Sequence, residues 1–268
     1  MVAALLTAAL LMAAFPAWGV QVRQLCLSCH PAHYAEKGGC IICHRGNPAS
    51  ERKNIAHAGL LPGKYARFTV AGRAEAGAGE GLMERRACRR CHVSGGRGNI
   101  LAVSLDAAAA RKTGGELALS IRHPVANMPD FRLDEEQITT LVNAVYAGSQ
   151  GKKTDMSAPV RVHFNTSGIK NPDIFSTKCG SCHRILSQRL GAVGTGEVGP
   201  NLSGLLTQYY PKTFRNGEAW TALNLNLWLK NPRETRPWAR MLPVTLTGAE
   251  TKELVSIIYL LKKQEEVR

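Results

Sequence analysis

The stretch Cys179-Gly-Ser-Cys-His183 follows a five-residue pattern, Cys-x-x-Cys-His, that decides the fold of this chain because it occurs four times. The other copies are CLSCH at 26–30, CIICH at 40–44 and CRRCH at 88–92. Together they use all 8 cysteines, whereas histidine fills only 8 of the 268 positions. Four histidines at the same offset from a cysteine pair are therefore not a matter of chance.

This spacing fits the covalent attachment of haem. Two cysteines one helical turn apart can each form a thioether with a haem vinyl group, and the next residue then places an imidazole beneath the iron. Zinc sites and disulfides are the alternatives, but neither needs a histidine at that offset. We therefore expect four haem c groups, each with its iron. The attachment residues are Cys26, Cys29, Cys40, Cys43, Cys88, Cys91, Cys179 and Cys182, and the proximal ligands are His30, His44, His92 and His183.

The N-terminus predicts an export signal. Residues 2–18 are apolar apart from Thr7, and the small residues Ala17 and Gly19 favour signal-peptidase cleavage after Gly19, which gives a signal peptide over 1–19. An uncleaved anchor is the alternative, although the run is shorter than the roughly 20 residues of a membrane span. Haem c is attached outside the bacterial cytoplasm, so we expect a periplasmic protein, with membrane-anchored and extracellular forms as alternatives.

The formal net charge is +14, and the segments before residue 73 and after residue 150 are the more basic ones. Two interpretations stay open. Solvated Lys and Arg side chains could partly neutralise haem propionates, or they could dock an acidic redox partner or an anionic membrane face. Nucleic acid is not expected as a partner of an exported haem protein, and the oligomeric state stays open.

The motifs divide the mature chain into three modules. The first two motifs lie close together in a segment rich in Gly and Pro, which predicts a dihaem module over residues 20–72. Residues 73–148 and 171–268 each carry one motif and a later helix with one buried face. A polar stretch beginning near Gly148 predicts a linker over residues 149–170.

Helix signals support the two single-haem modules. In the middle module we expect a helix from Glu80 into the motif and another after the N-cap Asp134, with Gly148 as its end. In the last module Asp173 predicts a helix start. Thr247-Gly-Ala-Glu250 predicts a capping box that opens the final helix.

Both single-haem modules resemble class I cytochrome c domains, in which a helix runs into CxxCH, a loop carries a methionine and a C-terminal helix packs across the first. In the last module GEVGPNL, residues 196–202, is similar to the GPxL turn of that family. The resemblance implies that Pro200 packs on the imidazole of His183 and that its carbonyl accepts the imidazole N–H. Residues 224–246 resemble the ligand loop and imply Met241 as the second axial ligand. Aromatic residues usually wall this pocket, which points to Trp220, Trp228 and Trp238.

The middle module has no GPxL turn, but NMPDFRLDEEQI, residues 127–138, resembles the methionine loop. Met128 is therefore the favoured second ligand for the haem of His92. His123 could also approach that haem, and we expect it to be a nearby polar residue. His163 lies outside any haem motif and is expected to have a structural or surface role.

The first module resembles modules of multihaem cytochromes from metal-reducing bacteria, with CxxCHxxH, CxxCH and a later histidine. His33 follows His30 by three residues and lies on the same side of a helical turn, so it cannot reach the opposite face of that haem. We therefore assign His33 to the haem of His44, and His57 to the haem of His30. The reverse pairing, and a structural histidine with water as the ligand, are alternatives.

These assignments predict a mainly α fold made of small haem-centred helical modules, namely a loop-rich dihaem module and two class I cytochrome c domains. Replacing an axial His by Met raises the reduction potential, so electrons are expected to run from the bis-His pair to the His/Met haems. All four irons have protein ligands on both faces, which favours electron transfer over catalysis.

The expected function is that of a periplasmic tetrahaem electron carrier between a low-potential donor, such as an inner-membrane quinol dehydrogenase, and an outer-membrane or extracellular acceptor. One alternative is a haem enzyme with an open iron, either similar to dihaem peroxidases or an oxyanion reductase. Another is a subunit of a larger cytochrome complex or a haem wire. The arginines around CRRCH either face a redox partner or form a solvated surface; they are Arg85, Arg86, Arg89 and Arg90.

Overall fold

The computed structural model describes residues 25–125, 127–152 and 173–260. These ranges are mainly helical, which confirms the predicted fold class. The chain divides into two compact units, Met1–Ala58 and Gly59–Arg268. The expected signal peptide, most of the expected linker and His163 lie outside the described residues.

The first unit is built from short helical turns. They are the 3-10 turns Leu25–Ser28 and Ala35–Lys37, α1 (Cys40–His44) and α2 (Lys53–Ala56). Among residues 25–58 no side chain is buried. Such a short segment gains little stability from side-chain burial, so the apolar faces of two haems would supply most of its core.

The second unit begins with an all-helical part that contains the CRRCH motif. Its elements are the 3-10 turns Gly63–Tyr65, Arg67–Thr69 and Cys88–Arg90, and helices α3 (Glu75–Arg85), α4 (Leu105–Arg111), α5 (Gly114–Arg122) and α6 (Glu135–Ser149). Helices α3 and α6 cross at Gly79, where a Cβ atom would lie 2.2 Å from the carbonyl oxygen of Thr140. Only glycine allows this close approach.

Residues 59–72 pack with this helical part, so the boundary differs from the one expected after residue 72. Leu61 and Tyr65 are buried in the same core as α3 and α6. The fully buried side chain of Asn143 accepts a hydrogen bond from Phe68 N at 3.0 Å and donates one to Lys64 O at 2.8 Å. Composition did not indicate this boundary, because the contacts join residues far apart in the sequence.

The last part of the chain surrounds the CGSCH motif. Its elements are α7 (Ile174–Lys178), strands β1 (Ile185–Ser187) and β2 (Gly191–Val193), the 3-10 turn Arg215–Gly217, and helices α8 (Ala222–Lys230), α9 (Pro232–Thr235) and α10 (Gly248–Ile258). The strands form an antiparallel hairpin with Ile185 opposite Val193, which the sequence did not predict. None of the helices in the described ranges has the length and apolar composition that a membrane span requires.

The predicted helix caps are confirmed. Asp134 and Thr247 each accept a hydrogen bond at the start of their helix, and the side chains of Gln137 and Glu250 complete the two capping boxes. Asp173 accepts from Ser176 N at 2.9 Å and starts α7. Two boundaries differ from expectation, since α3 ends before the CRRCH motif and α6 continues one residue past Gly148.

The crossing of α3 and α6 generates a stability prediction. Replacing Gly79 by alanine brings a Cβ against the α6 backbone, so the free energy of unfolding should fall by roughly 1–3 kcal/mol. Gly77→Ala is the matched control, because its Cβ has nothing within 4 Å and alanine favours the helix by up to about 1 kcal/mol. Denaturant unfolding of the haem-loaded protein, followed by circular dichroism, measures both. A Gly79→Ala protein as stable as the wild type would contradict the tight crossing.

Candidate haem sites

In the first unit the structure brings four histidines together as two pairs. The Nε2 atoms of His33 and His44 face each other at 3.3 Å. The rings of His30 and His57 have their centroids 6.0 Å apart. These are the two pairs that the sequence analysis assigned to one iron each. An imidazole ligand presents an unprotonated nitrogen to its metal, and facing nitrogens allow this from two sides.

Two backbone hydrogen bonds explain how His57 reaches the first motif. Leu25 N, at the start of the first motif turn, donates to Pro48 O at 2.9 Å, and Asn47 N donates to Ala56 O at 2.9 Å. The loop at Asn47 and Pro48 therefore holds the end of α2 beside the first motif. His57 follows directly as the C-cap of α2.

The proximal imidazole of the middle module is held by a backbone carbonyl. His92 Nδ1 donates to Val103 O at 2.7 Å, and burial lowers the pKa of this imidazole, so it stays neutral. This hydrogen bond leaves Nε2 available for iron. Sequence reasoning missed Val103, because any residue can supply a carbonyl and no motif marks it. Hydrogen bonds from Ala102 N to Cys91 O and from Leu105 N to Val93 O hold the loop in place.

The last module holds its proximal imidazole in the same way. His183 Nδ1 donates to Pro200 O at 2.9 Å, the contact that the resemblance implies. The preceding residue must be small, since a Cβ on Gly199 would lie 2.2 Å from His183 Cε1. The GPxL-like turn therefore packs directly against the imidazole ring.

The surroundings of two cysteines in the second unit, Cys88 and Cys179, favour an uncharged sulphur. Burial raises the pKa of Cys88 to about 11 and that of Cys179 to about 11. Surroundings of this kind disfavour a charged thiolate. A thioether carries no charge and fits these surroundings. No disulfide joins any of the eight cysteines, all of which lie in the described residues.

Met241 lies half-buried against the core of the last module. Its sulphur accepts a hydrogen bond from Trp228 Nε1 at 3.0 Å. Trp220 packs edge-on against Trp228 with ring centroids 5.6 Å apart, whereas Trp238 is 78% exposed. Of the three expected tryptophans, Trp228 therefore contacts the methionine and Trp220 packs against Trp228.

In the middle module the two candidate second ligands differ in exposure. Met128 is half-buried in the loop between α5 and α6, and His123 is exposed at the C-cap of α5. A methionine ligand has to lie against the apolar face of a haem, so the exposures favour Met128 over His123. Asn127, beside Met128, accepts a hydrogen bond from Asn201 Nδ2 at 3.2 Å.

Arg89, one of the four arginines around CRRCH, is buried, so both interpretations are wrong for it, whereas Arg90 is half-buried and both interpretations stay open for that residue. Arg89 is 3% exposed, and its guanidinium pairs with Glu80 and Glu84 and donates to Ser94 O. Arg90 donates from Nη1 to Asn201 O at 2.9 Å. Arg85 and Arg86 are exposed, and for these two residues both interpretations stay open.

Polar contacts join the CRRCH motif to the turn that follows Pro200. Besides the Arg90 hydrogen bond, Asn99 Nδ2 donates to Thr207 Oγ1 at 2.9 Å. At Gly204, where φ is +73°, a Cβ would lie 2.6 Å from Arg90 O, so the backbones approach closely. The same short segment therefore holds the proximal imidazole of one motif and contacts the other motif.

Comparison with known families gives one match. A family model described as "Cytochrome C oxidase, cbb3-type, subunit III" matches residues 74–143, the range that contains CRRCH and most of α6. No solved structure matches the chain. Residues 74–143 are thus similar to a c-type cytochrome domain, and this similarity suggests covalently bound haem c and electron transfer through its iron.

Proposed function

We propose that this protein is a periplasmic tetrahaem c-type cytochrome that carries electrons between other proteins. The observation that carries the proposal is the position of the Nε2 atoms of His33 and His44, which face each other 3.3 Å apart and could bind one iron from two sides. Each haem, when bound, supplies a one-electron iron couple. An iron with two protein ligands has no open position for a substrate.

The proposed ligand pairs are His30 with His57, His44 with His33, His92 with Met128, and His183 with Met241. The ring pairs in the first unit and the half-buried positions of the two methionines support these pairs. Methionine in place of an axial histidine raises the potential. Electrons would therefore enter through the bis-His pair and leave through the two His/Met haems.

Electron exchange between the two His/Met haems is supported by the contacts in the second unit. Arg90 lies next to the attachment residue Cys91, and its hydrogen bond ends on Asn201, the neighbour of Pro200. Pro200 in turn accepts the hydrogen bond from His183. These contacts hold the two attachment motifs next to each other, which suits electron transfer within one chain.

For partners, we propose a low-potential donor, such as a quinol dehydrogenase of the inner membrane, and an acceptor at the outer membrane or outside the cell. The net charge of +14 on this chain supports docking to an acidic surface on the donor or the acceptor. Electrostatic steering of this kind speeds association and weakens as salt is added.

A redox titration of the haem-loaded protein, followed by visible and EPR spectra, tests the proposed function. Two low-potential haems with bis-His signals and two higher-potential haems with His/Met signals are expected, because ligand type sets the order. Four haems titrating at one common potential would contradict it. Carbon monoxide binding under mild conditions, followed by peroxide turnover, would favour a haem enzyme instead.

Paired substitutions test the ligand assignment of the first unit. If His33 and His44 serve one iron, the double variant His33→Ala/His44→Ala damages one haem and leaves three low-spin haems. The matched control, His33→Ala/His30→Ala, removes ligands from two irons and leaves two. The number of low-spin haems per chain, measured by EPR, distinguishes the two variants. The reverse pairing predicts the opposite counts and would overturn the assignment.

A second candidate function is that of a subunit in a larger cytochrome complex. The observation that favours it is the matched family, whose description names a subunit of a cytochrome c oxidase. Native electrophoresis of detergent-solubilised membranes, stained for haem, distinguishes the two functions. A carrier is expected to run at the size of the single chain, whereas a subunit migrates in one band with other polypeptides.

A further inference from the structure

We infer that Trp228 is a positioning residue for the last haem, because its indole N–H orients the sulphur of Met241 and reduces the electron donation of that sulphur. This inference rests on the proposed function insofar as Met241 is the second axial ligand. The hydrogen bond from Trp228 Nε1 to Met241 Sδ measures 3.0 Å. Indole N–H can only donate, and a half-buried indole usually finds an acceptor.

The backbone brings donor and acceptor together. Trp228 lies near the end of α8, which is capped by Thr221, and the ligand loop returns to the same helix end through the bond from Val244 N to Leu229 O at 2.8 Å. This hydrogen bond therefore fixes the backbone of the loop that carries Met241 at its C-terminal end. The side chain of Met241 has three rotatable bonds, so the backbone alone does not fix the sulphur. The indole N–H supplies that missing constraint.

The indole itself is held from two sides. The guanidinium of Arg236 lies 5.2 Å from the Trp228 ring centroid and is anchored by a hydrogen bond from Nη2 to Thr213 O at 2.6 Å. Trp220 packs edge-on against Trp228, and its own N–H donates to Thr213 Oγ1 at 2.9 Å. A cation over the ring also withdraws electron density and strengthens the N–H as a donor.

The chemical consequence follows from the two lone pairs of a thioether sulphur. One can bind iron while the other accepts the indole N–H. A donated hydrogen bond lowers the electron density on the sulphur, which disfavours ferric iron more than ferrous iron and so raises the potential. Groups that orient a metal ligand in this way usually contribute 10–100-fold to its binding.

The test uses Trp228→Phe in the haem-loaded protein, since phenylalanine keeps an aromatic ring and removes the N–H donor; the loss of ring volume is matched in the control below. Imidazole added to the ferric protein competes with Met241, and the loss of the sulphur-to-iron charge-transfer band reports the exchange. Met241→Ala identifies the share of the band that belongs to this haem. We expect imidazole to compete roughly 10–100-fold more effectively in Trp228→Phe, and the potential of the last haem to fall.

Trp220→Phe is the matched control, because it removes an indole N–H from the same wall but one that donates to Thr213. It is expected to shift imidazole competition and potential much less than Trp228→Phe. If both variants match the wild type while the Met241 share of the band is present, the inference is wrong and the ligand assignment stands. If Met241→Ala leaves the wild-type band unchanged, the ligand assignment and the inference both fail.

Discussion

The hydrogen bond from each proximal imidazole to a backbone carbonyl is the interaction on which the second unit depends. His92 donates to Val103 O and His183 to Pro200 O, and each bond leaves the other ring nitrogen available as a metal ligand. A rotated imidazole would offer iron the wrong nitrogen. The close approach of Gly199 to the ring of His183 and the hydrogen bond from Arg90 to Asn201, the neighbour of Pro200, lie in the same part of the unit.

The two units differ in how much buried side-chain core they have. The second unit has two side-chain cores, one containing Tyr146 and the other Phe175, so its helices could position haem ligands before iron binds. The first unit has no buried residue within 25–58 and depends on short turns and a few backbone hydrogen bonds. Covalent haem would therefore act as its core, and the facing histidines would bind the irons and stabilise the turns.

Sequence predicted the features that depend on local pattern. The helical class, the caps at Asp134, Asp173 and Thr247, and the helix with Ile138 and Leu141 on its buried face could all be read from spacing. Features that depend on contacts between residues distant in the sequence could not be predicted in this way. The packing of residues 59–72, the carbonyl of Val103, the burial of Arg89 and the N–H of Trp228 have no sequence signature, because each depends on which loop lies opposite.

We propose that all eight cysteines bind haem covalently. Intact mass spectrometry measures this most directly, on protein made in a host competent for cytochrome maturation and purified under denaturing conditions that remove non-covalent ligands. We expect the mass of a chain that carries four haem groups and, after proteolysis, thioether links at both cysteines of every motif. A bare chain, or one whose cysteines bind zinc before denaturation, would contradict it.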